Sequence, residues 1–294
     1  MSRAHGPTRA LTRVGARAGS VGVLVVLLVG CAGEQDDGAA SMSDPGMGHV
    51  HGVGVDPAGG DVLAATHTGL FALRDGWAPR RVADRWQDTM AFTVDGDRLL
   101  GSGHPDMRDD LPVHLGLIQS TDSGETWDAI SLQGEADLHA LSVNGQRVAA
   151  WDSVGAALLL SDDGGRTWTT GASLPSPAAD LLLQEDGSLL ITTAGGLLHS
   201  TDGQAVQPFE PPPPTTLAQV EQTPSSVLVG VDTDGAVWTL DGTWTSAGSL
   251  PGPPTAFAGV GDGTLVAATE QEVLRSPDAG ATWQTVAAVG AGGS

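Results

Sequence analysis

One eight-residue pattern occurs three times in this chain and constrains its fold more than any other feature. The pattern is S-x-D-x-G-x-T-W, with copies at residues 120–127, 161–168 and 276–283. The aspartate can accept hydrogen bonds from nearby backbone N–H groups, the glycine permits a positive φ, and the tryptophan can pack over the turn. Each copy therefore predicts a tight β-hairpin turn. Its structural residues are Asp122, Gly124, Trp127, Asp163, Gly165, Trp168, Asp278, Gly280 and Trp283.

Incomplete copies of the pattern lie between the complete ones, at residues 74–77, 200–203 and 240–244. Together they repeat about every 40 residues, and each repeat holds short alternating apolar runs separated by turn residues. This predicts an all-β fold, a β-propeller whose blades have four strands each. Six blades are favoured, with seven left open. The predicted blades are residues 49–85, 86–132, 136–175, 177–214, 215–250 and 253–289.

The complete copies resemble the Asp-box, or BNR-like repeat, of sialidases, sortilin-like receptors and other propellers. The resemblance covers the repeat architecture and implies the fold. It does not extend to the sialidase site, because that family uses a tyrosine nucleophile and this chain has no tyrosine. We therefore expect no sialidase activity.

The amino terminus has the pattern of a bacterial lipoprotein. Residues 1–30 carry four arginines and then a short apolar run, which predicts a signal peptide. The segment Leu28–Val29–Gly30–Cys31 resembles the lipobox, and the resemblance implies cleavage before Cys31 and lipidation of that residue. An uncleaved anchor helix is the alternative. The remaining predicted parts are a flexible lipid-anchored linker at 31–48, the propeller at 49–289 and a disordered tail at 290–294.

Charge and cysteine content exclude several classes of function. Cys31 is the only cysteine, so the propeller can hold neither a disulfide nor a thiolate metal cluster. The formal net charge is −22, and it becomes −26 once the four signal-peptide arginines are removed. Such an acidic chain is a poor ligand for nucleic acid. The expected partners are the membrane, through the lipid anchor, and a metal, small-molecule or protein ligand.

Histidines gather at one predicted end of the propeller. In a four-stranded blade the start of the first strand and the end of the second lie together, opposite the S-x-D-x-G-x-T-W turns. Neighbouring blades 1 to 3 supply this rim with His49, His51, His67, His104, His114 and His139. Residues 103–115 lengthen blade 2 and add Met107. An unusually long loop in a regular array is often functional.

Imidazole with carboxylate suits zinc, whereas added thioether sulfur suits copper. We therefore predict a metal or ligand site on this rim, with copper favoured over zinc, and no cofactor that is certain. The predicted alignment places Asp180 beside His49, Asp88 and Asp137, and Leu182 beside His51. It also gives Asp152 a place on the rim beside His67 and His104. The alternative is a polar channel mouth without a metal.

Three functions fit this pattern. The first is a non-catalytic, extracytoplasmic, lipid-anchored propeller that binds a metal or another ligand at its rim. The second is a glycoside hydrolase, sialidase-like by fold, that uses Asp88, Asp137 or Asp152. The third is protein binding of the kind found in photosystem-assembly or sortilin-like propellers. Fold alone does not distinguish them.

We expect Cys31→Ala to abolish lipid attachment. Several acyl chains are needed for stable anchoring, and a lipobox cysteine is their only attachment point here. Metabolic labelling with a palmitate analogue, followed by membrane fractionation, measures the effect. A processed Cys31→Ala protein that stays on the membrane would contradict the assignment.

Overall fold

The computed structural model describes residues 44–260 and 263–290, and this part of the chain is all β-structure. Within it, no helix has the length and apolarity to cross a membrane. Its 24 strands form six antiparallel sheets, each with four consecutive strands in sequence order. The prediction of a six-bladed, four-stranded β-propeller is confirmed, and the seven-blade alternative is wrong.

Blades 1 to 3 contain β1 (Val50–Val55), β2 (Val62–Thr66), β3 (Gly69–Leu73), β4 (Arg80–Arg81), β5 (Asp88–Asp95), β6 (Arg98–His104), β7 (Leu117–Ser120), β8 (Asp128–Ser131), β9 (Leu138–Asn144), β10 (Arg147–Asp152), β11 (Ala157–Ser161) and β12 (Thr169–Thr170). Blades 4 to 6 contain β13 (Ala178–Leu183), β14 (Leu189–Thr193), β15 (Gly196–Ser200), β16 (Gln207–Pro208), β17 (Leu217–Gln222), β18 (Leu228–Asp232), β19 (Ala236–Asp241), β20 (Thr243–Ser249), β21 (Pro254–Gly259), β22 (Leu265–Thr269), β23 (Glu272–Ser276) and β24 (Gln284–Ala288).

The hydrophobic core is divided among the junctions between blades. Each of six apolar clusters draws its residues from two neighbouring blades. Blade 6 meets blade 1 in the same way, with Val266 and Val273 packed in one cluster with Val53 and Val62. The ring therefore closes by side-chain packing, and residues 44–290 contain the complete core of the propeller.

The second strand of a blade lies deepest in this packing. In β2, β14, β18 and β22 every residue is buried. Both faces of such a strand are covered by adjacent blades, so apolar side chains are required on both sides. Small residues such as Ala64 and Ala65 allow the close approach. This accounts for the short apolar run in each repeat.

The three S-x-D-x-G-x-T-W turns share one hydrogen-bond arrangement. In blade 3, Asp163 accepts hydrogen bonds from the backbone N–H of Thr167 at 2.9 Å and from its hydroxyl at 2.7 Å. Ser161 Oγ donates to Asp163 at 2.8 Å and accepts from the N–H of Gly165 at 2.9 Å. These bonds, led by that from the Thr167 hydroxyl, lower the pKa of Asp163 to about 2. Asp122 and Asp278 make the equivalent bonds.

Each turn also contacts the preceding blade. Gly165 has a φ of 83° and lies against Leu117 of blade 2, so an added Cβ would collide with that side chain. Trp168 packs in the cluster between blades 2 and 3, and its indole N–H donates to Ser131 Oγ at 2.9 Å. The motif thus locks a hairpin and docks it onto its neighbour.

The chain is packed on blade 1 before the predicted start of the propeller at residue 49. Arg81 donates two hydrogen bonds of 2.6 Å to the carboxylate of Asp44, and Met47 is buried in the core. The predicted linker therefore ends earlier than residue 48. Its first part, the signal peptide and Cys31 lie outside the described residues, as does most of the predicted tail at 290–294.

We expect Trp168→Ala to lower the free energy of unfolding by roughly 2–4 kcal/mol, because it removes a large side chain from the junction between blades 2 and 3. Trp77→Ala is the matched control, since Trp77 is 72 % exposed. Urea unfolding of both variants measures the difference. Equal stability of the two variants would exclude a docking role for the turn.

Candidate functional site

A β-bulge lies near the start of the first strand of every blade. At each bulge the ladder to the second strand skips one residue. The skipped residues are His51, Met90, His139, Ala179, Ala218 and Thr255, and all six line one central cavity of about 930 Å³. A bulge changes the direction in which a side chain projects. Here it aims two imidazoles and a thioether at the same space.

The histidines and the S-x-D-x-G-x-T-W turns lie at opposite ends of the strands. Ser123, within the turn of blade 2, donates a hydrogen bond of 2.8 Å to Asp56, which directly follows β1. His49 and His51 lie at the beginning of that strand. The turns therefore leave the histidine end free for a ligand.

The first cluster of potential ligands consists of His51, His67 and Asp88. One ligand atom from each lies within 4.8 Å of the others. His51 Nε2 is 3.2 Å from the nitrogens of His67, and His67 Nδ1 is 2.9 Å from Asp88 Oδ1. The ring of His49 adjoins this cluster, with its centroid 4.7 Å from that of His51, and His49 pairs with Glu270 at 2.9 Å.

His51 is neutral at physiological pH. Burial lowers its pKa to about 3, and the neighbouring imidazoles of His67, His49 and His139 add to the effect. A neutral imidazole keeps a lone pair, and this is the form that coordinates a metal.

The second cluster consists of His104, His114 and Asp137, again with one ligand atom of each within 4.8 Å of the others. It is the more enclosed cluster, since the Asp137 side chain is 9 % exposed. His104 Nδ1, His114 Nδ1 and Asp137 Oδ1 are all buried without a hydrogen-bond partner. Only two other side-chain atoms in residues 44–260 and 263–290 share this condition. Unpaired polar atoms are therefore concentrated at one point of the described chain.

The lengthened segment of blade 2 delivers His114 to this cluster. The carbonyl of His114 accepts a hydrogen bond from Gly134 at 2.8 Å, and the next residue, Leu115, is buried and donates to the carbonyl of Gly103 at 2.9 Å. The peptide unit between His114 and Leu115 thus makes two backbone hydrogen bonds, which hold the imidazole beside His104 at a ring-centroid distance of 5.6 Å. That this loop carries a site residue stays a prediction.

His139 contacts a predicted ligand and belongs to neither triad. Its Nε2 lies 2.9 Å from Asp137 Oδ2, and the hydroxyl of Ser153 donates to the same oxygen at 3.1 Å. This leaves Asp137 Oδ1 free. His139 thus orients the carboxylate of the second cluster.

Three predicted placements differ in the structure. Asp152 is buried and accepts hydrogen bonds from the N–H groups of residues 137, 154 and 155, so it shapes a turn and does not face the rim. Met107 is 99 % exposed and joins neither cluster. Asp180 lies three residues beyond the position in blade 4 that is equivalent to Asp137. The bulge residue of blade 4, equivalent to His51, is Ala179 and not the predicted Leu182.

The displaced Asp180 forms a carboxyl pair with Glu221, which the sequence reasoning missed. Both line the central cavity. Burial raises the pKa of Asp180 to about 7, against hydrogen bonds from the backbone of Val220 and Leu181. Burial and then the charge of Asp180 raise the pKa of Glu221 to about 8. The pair consequently retains a proton at neutral pH. Only the register set by the bulges reveals it.

No family model and no curated protein matches this sequence. Solved structures do share its architecture. The extracellular domain of a hybrid two-component system from B. thetaiotaomicron has a TM-score of 0.53 and 13 % identity, over 81 % of this chain and 33 % of that one. A structure assigned as a gluconolactonase has a TM-score of 0.62 and 13 % identity, over 85 % and 92 % of the two chains. YCF48 bound to D1 peptide has a TM-score of 0.51 and 18 % identity, over 83 % and 82 %.

This chain spans a third of the length of the first of these structures. At such low identities the similarity shows the β-propeller fold alone. The rim must therefore be interpreted from its own geometry.

We expect the propeller to lose stability between pH 5 and pH 8.5 through Glu221 and Asp180. Their folded-state pKa values, about 8 and 7, exceed the ordinary values of 4.5 and 3.8. Their contribution to the stability of the fold is therefore complete below about pH 4, and it is lost as the pH rises through their folded-state pKa values. Glutamine at position 221 stays neutral, so the free energy of unfolding of Glu221→Gln should fall less than that of wild type, by roughly 2 kcal/mol at pH 8.5.

Urea unfolding followed by tryptophan fluorescence at both pH values measures this difference. Glu125→Gln, at an exposed turn position, is the matched control and should retain the wild-type slope. Parallel pH profiles for Glu221→Gln and wild type would show that Glu221 ionises normally.

Proposed function

We propose that this protein is a non-catalytic, extracytoplasmic, lipid-anchored propeller of the Asp-box type that binds a divalent transition-metal ion on its rim. The ion is held by His104, His114 and Asp137. The observation that carries the proposal is that His104, His114 and Asp137 bring one ligand atom each within 4.8 Å of the others, and that each of them also has a buried polar atom without a hydrogen-bond partner. Each unpaired buried polar atom costs about 1–3 kcal/mol, so a cation that coordinates these atoms would offset that cost.

The chemistry of the ligands supports a first-row transition metal. Two imidazoles and one carboxylate suit zinc, and they leave one tetrahedral position for water or a further ligand. Copper(II) generally binds nitrogen and oxygen ligands of this kind more tightly than zinc does. Thioether sulfur supports copper less than expected, because Met107 is exposed, Met47 is buried in the core, and among the described methionines only Met90 lines the central cavity beside His51. We therefore expect either zinc or copper at this site.

The surroundings of Asp137 fit a ligand to a metal. His139 and Ser153 bind its Oδ2, so they fix the rotamer that presents Oδ1. Hydrogen bonds of this kind orient ligands and raise affinity, and their loss typically weakens metal binding 10–100-fold.

The rim carboxylates favour binding over hydrolysis. Asp88 is bound to His67, Asp137 to His139, and Asp152 to three backbone N–H groups. A glycosidase needs two carboxyl groups that face one substrate bond, one as acid and the other as base or nucleophile. These three aspartates do not form such a pair, and the chain has no tyrosine. The alternative of a glycoside hydrolase that uses these three aspartates therefore has no support from a specific contact.

We expect the domain of residues 44–294, freed of metal with a chelator, to bind Zn²⁺ and Cu²⁺. This range contains the complete core and no cysteine, so no thiol competes. His114→Ala should weaken the tightest-bound ion about 100-fold or more, and His139→Ala about 10–100-fold. Competition titration against a chromophoric chelator measures both effects.

His199→Ala is the matched control, because His199 lies on β15 of blade 4, away from the rim. It should bind like wild type. Equal affinities in wild type and His114→Ala would refute the site.

A further inference from the structure

The two histidine clusters occupy equivalent positions at successive blade junctions. His67 follows β2, and its equivalent in blade 2 is His104. Each of them directly follows the second-strand residue that pairs with the residue before the bulge. Asp88 and Asp137 likewise each precede the residue that begins the bulge in the following blade. Each junction thus combines a histidine from one blade with an aspartate from the next.

The ion pair between Glu270 and His49 is a third version of this arrangement. Glu270 holds the position of His67 in blade 6, and His49 holds that of Asp88 in blade 1. The carboxylate and the imidazole are exchanged, and they pair at 2.9 Å. The other three junctions carry Ser153 with Pro177, Ala194 with Thr216, and Thr233 with Pro253 at these positions. The ligand-type pairs therefore occupy three consecutive junctions.

A third ligand completes each of the two clusters, but it comes from a different source in each. At the first junction it is His51, the bulge residue of blade 1. In blade 2 the bulge residue is Met90, and the long loop supplies His114 instead. The two triads have the same composition, two histidines and one aspartate, although their third members are unrelated in position.

We propose that the rim binds two divalent ions, one in each of these equivalent junctions: the enclosed site of His104, His114 and Asp137, and an open site of His51, His67 and Asp88. This inference rests on the proposed function and adds the second site. The aspartate of the open site directly faces His104 in the β5–β6 ladder, so the sites are adjacent. His139 contacts Asp137 of the enclosed site and lines the central cavity together with His51 of the open one.

The sites differ in access to solvent, which predicts unequal affinities. The side chain of His67 is 48 % exposed and that of Asp88 is 29 % exposed, against 31 % for His104 and 9 % for Asp137. The open site also faces the central cavity through His51. His67 is paired with Asp88 at the open site, whereas the enclosed site has unpaired atoms. We expect the enclosed site to fill first and the open site to exchange its ion more readily.

Native mass spectrometry of residues 44–294 during titration with Zn²⁺ alone counts the bound ions. Wild type should bind two, His114→Ala one, His67→Ala one, and the double variant none. Asp88→Asn, which preserves the shape of the side chain, should behave like His67→Ala. His199→Ala is the matched control and should bind two. Melting temperatures confirm that each variant is folded.

The outcomes separate this inference from the proposed function. One ion in wild type, lost in His114→Ala and retained in His67→Ala, would leave the enclosed site and overturn the second. One ion lost in either variant would mean a single shared site and would also overturn it. No bound ion in wild type would overturn both proposals.

Discussion

The structure depends on the packing of each blade's second strand between two neighbouring blades. Cys31 is the only cysteine, so disulfides contribute nothing to the propeller. Its rigidity comes from strands such as β2 and β22, which are buried at every position. The ends of these strands are consequently fixed in space. His67 lies one position beyond a buried strand, so its backbone is held in place as well.

This origin explains how a ligand cluster can form from residues far apart in sequence. Each cluster takes a histidine from the end of one blade's second strand and an aspartate from the start of the next blade's first strand. The distance between the two depends on the junction itself, which is the best-packed part of the molecule. Sites on rigid strand ends are held more accurately than sites on free loops. His114 is the exception, and the peptide unit that follows it is held by two backbone hydrogen bonds.

Much of this arrangement could be predicted from the repeats. The period of about 40 residues predicted the blades, and the strand ends predicted a shared rim for the six histidines. The bulges could not be predicted, because no residue type marks them: they occur at His51, Met90, Ala179 and Thr255 alike. Without them the alignment placed Asp180 on the rim, whereas the structure places it deeper, beside Glu221. Met107 lies outside both clusters for another reason. Its closeness to His104 in the sequence does not determine the direction in which a loop residue projects.

Every blade consists of four consecutive strands, and blade 6 meets blade 1 through side chains alone. Among the described residues no strand is exchanged at the closure, so the ring does not fix the blade in which the chain begins. A circular permutant that begins in blade 5 would keep blades 1 to 3 consecutive and would move the seam away from the histidine rim. A permutant that begins in blade 2 would divide the rim between its two termini. The same ring thus permits the amino-terminal end of the propeller to be placed beside the histidine clusters, as here, or opposite them.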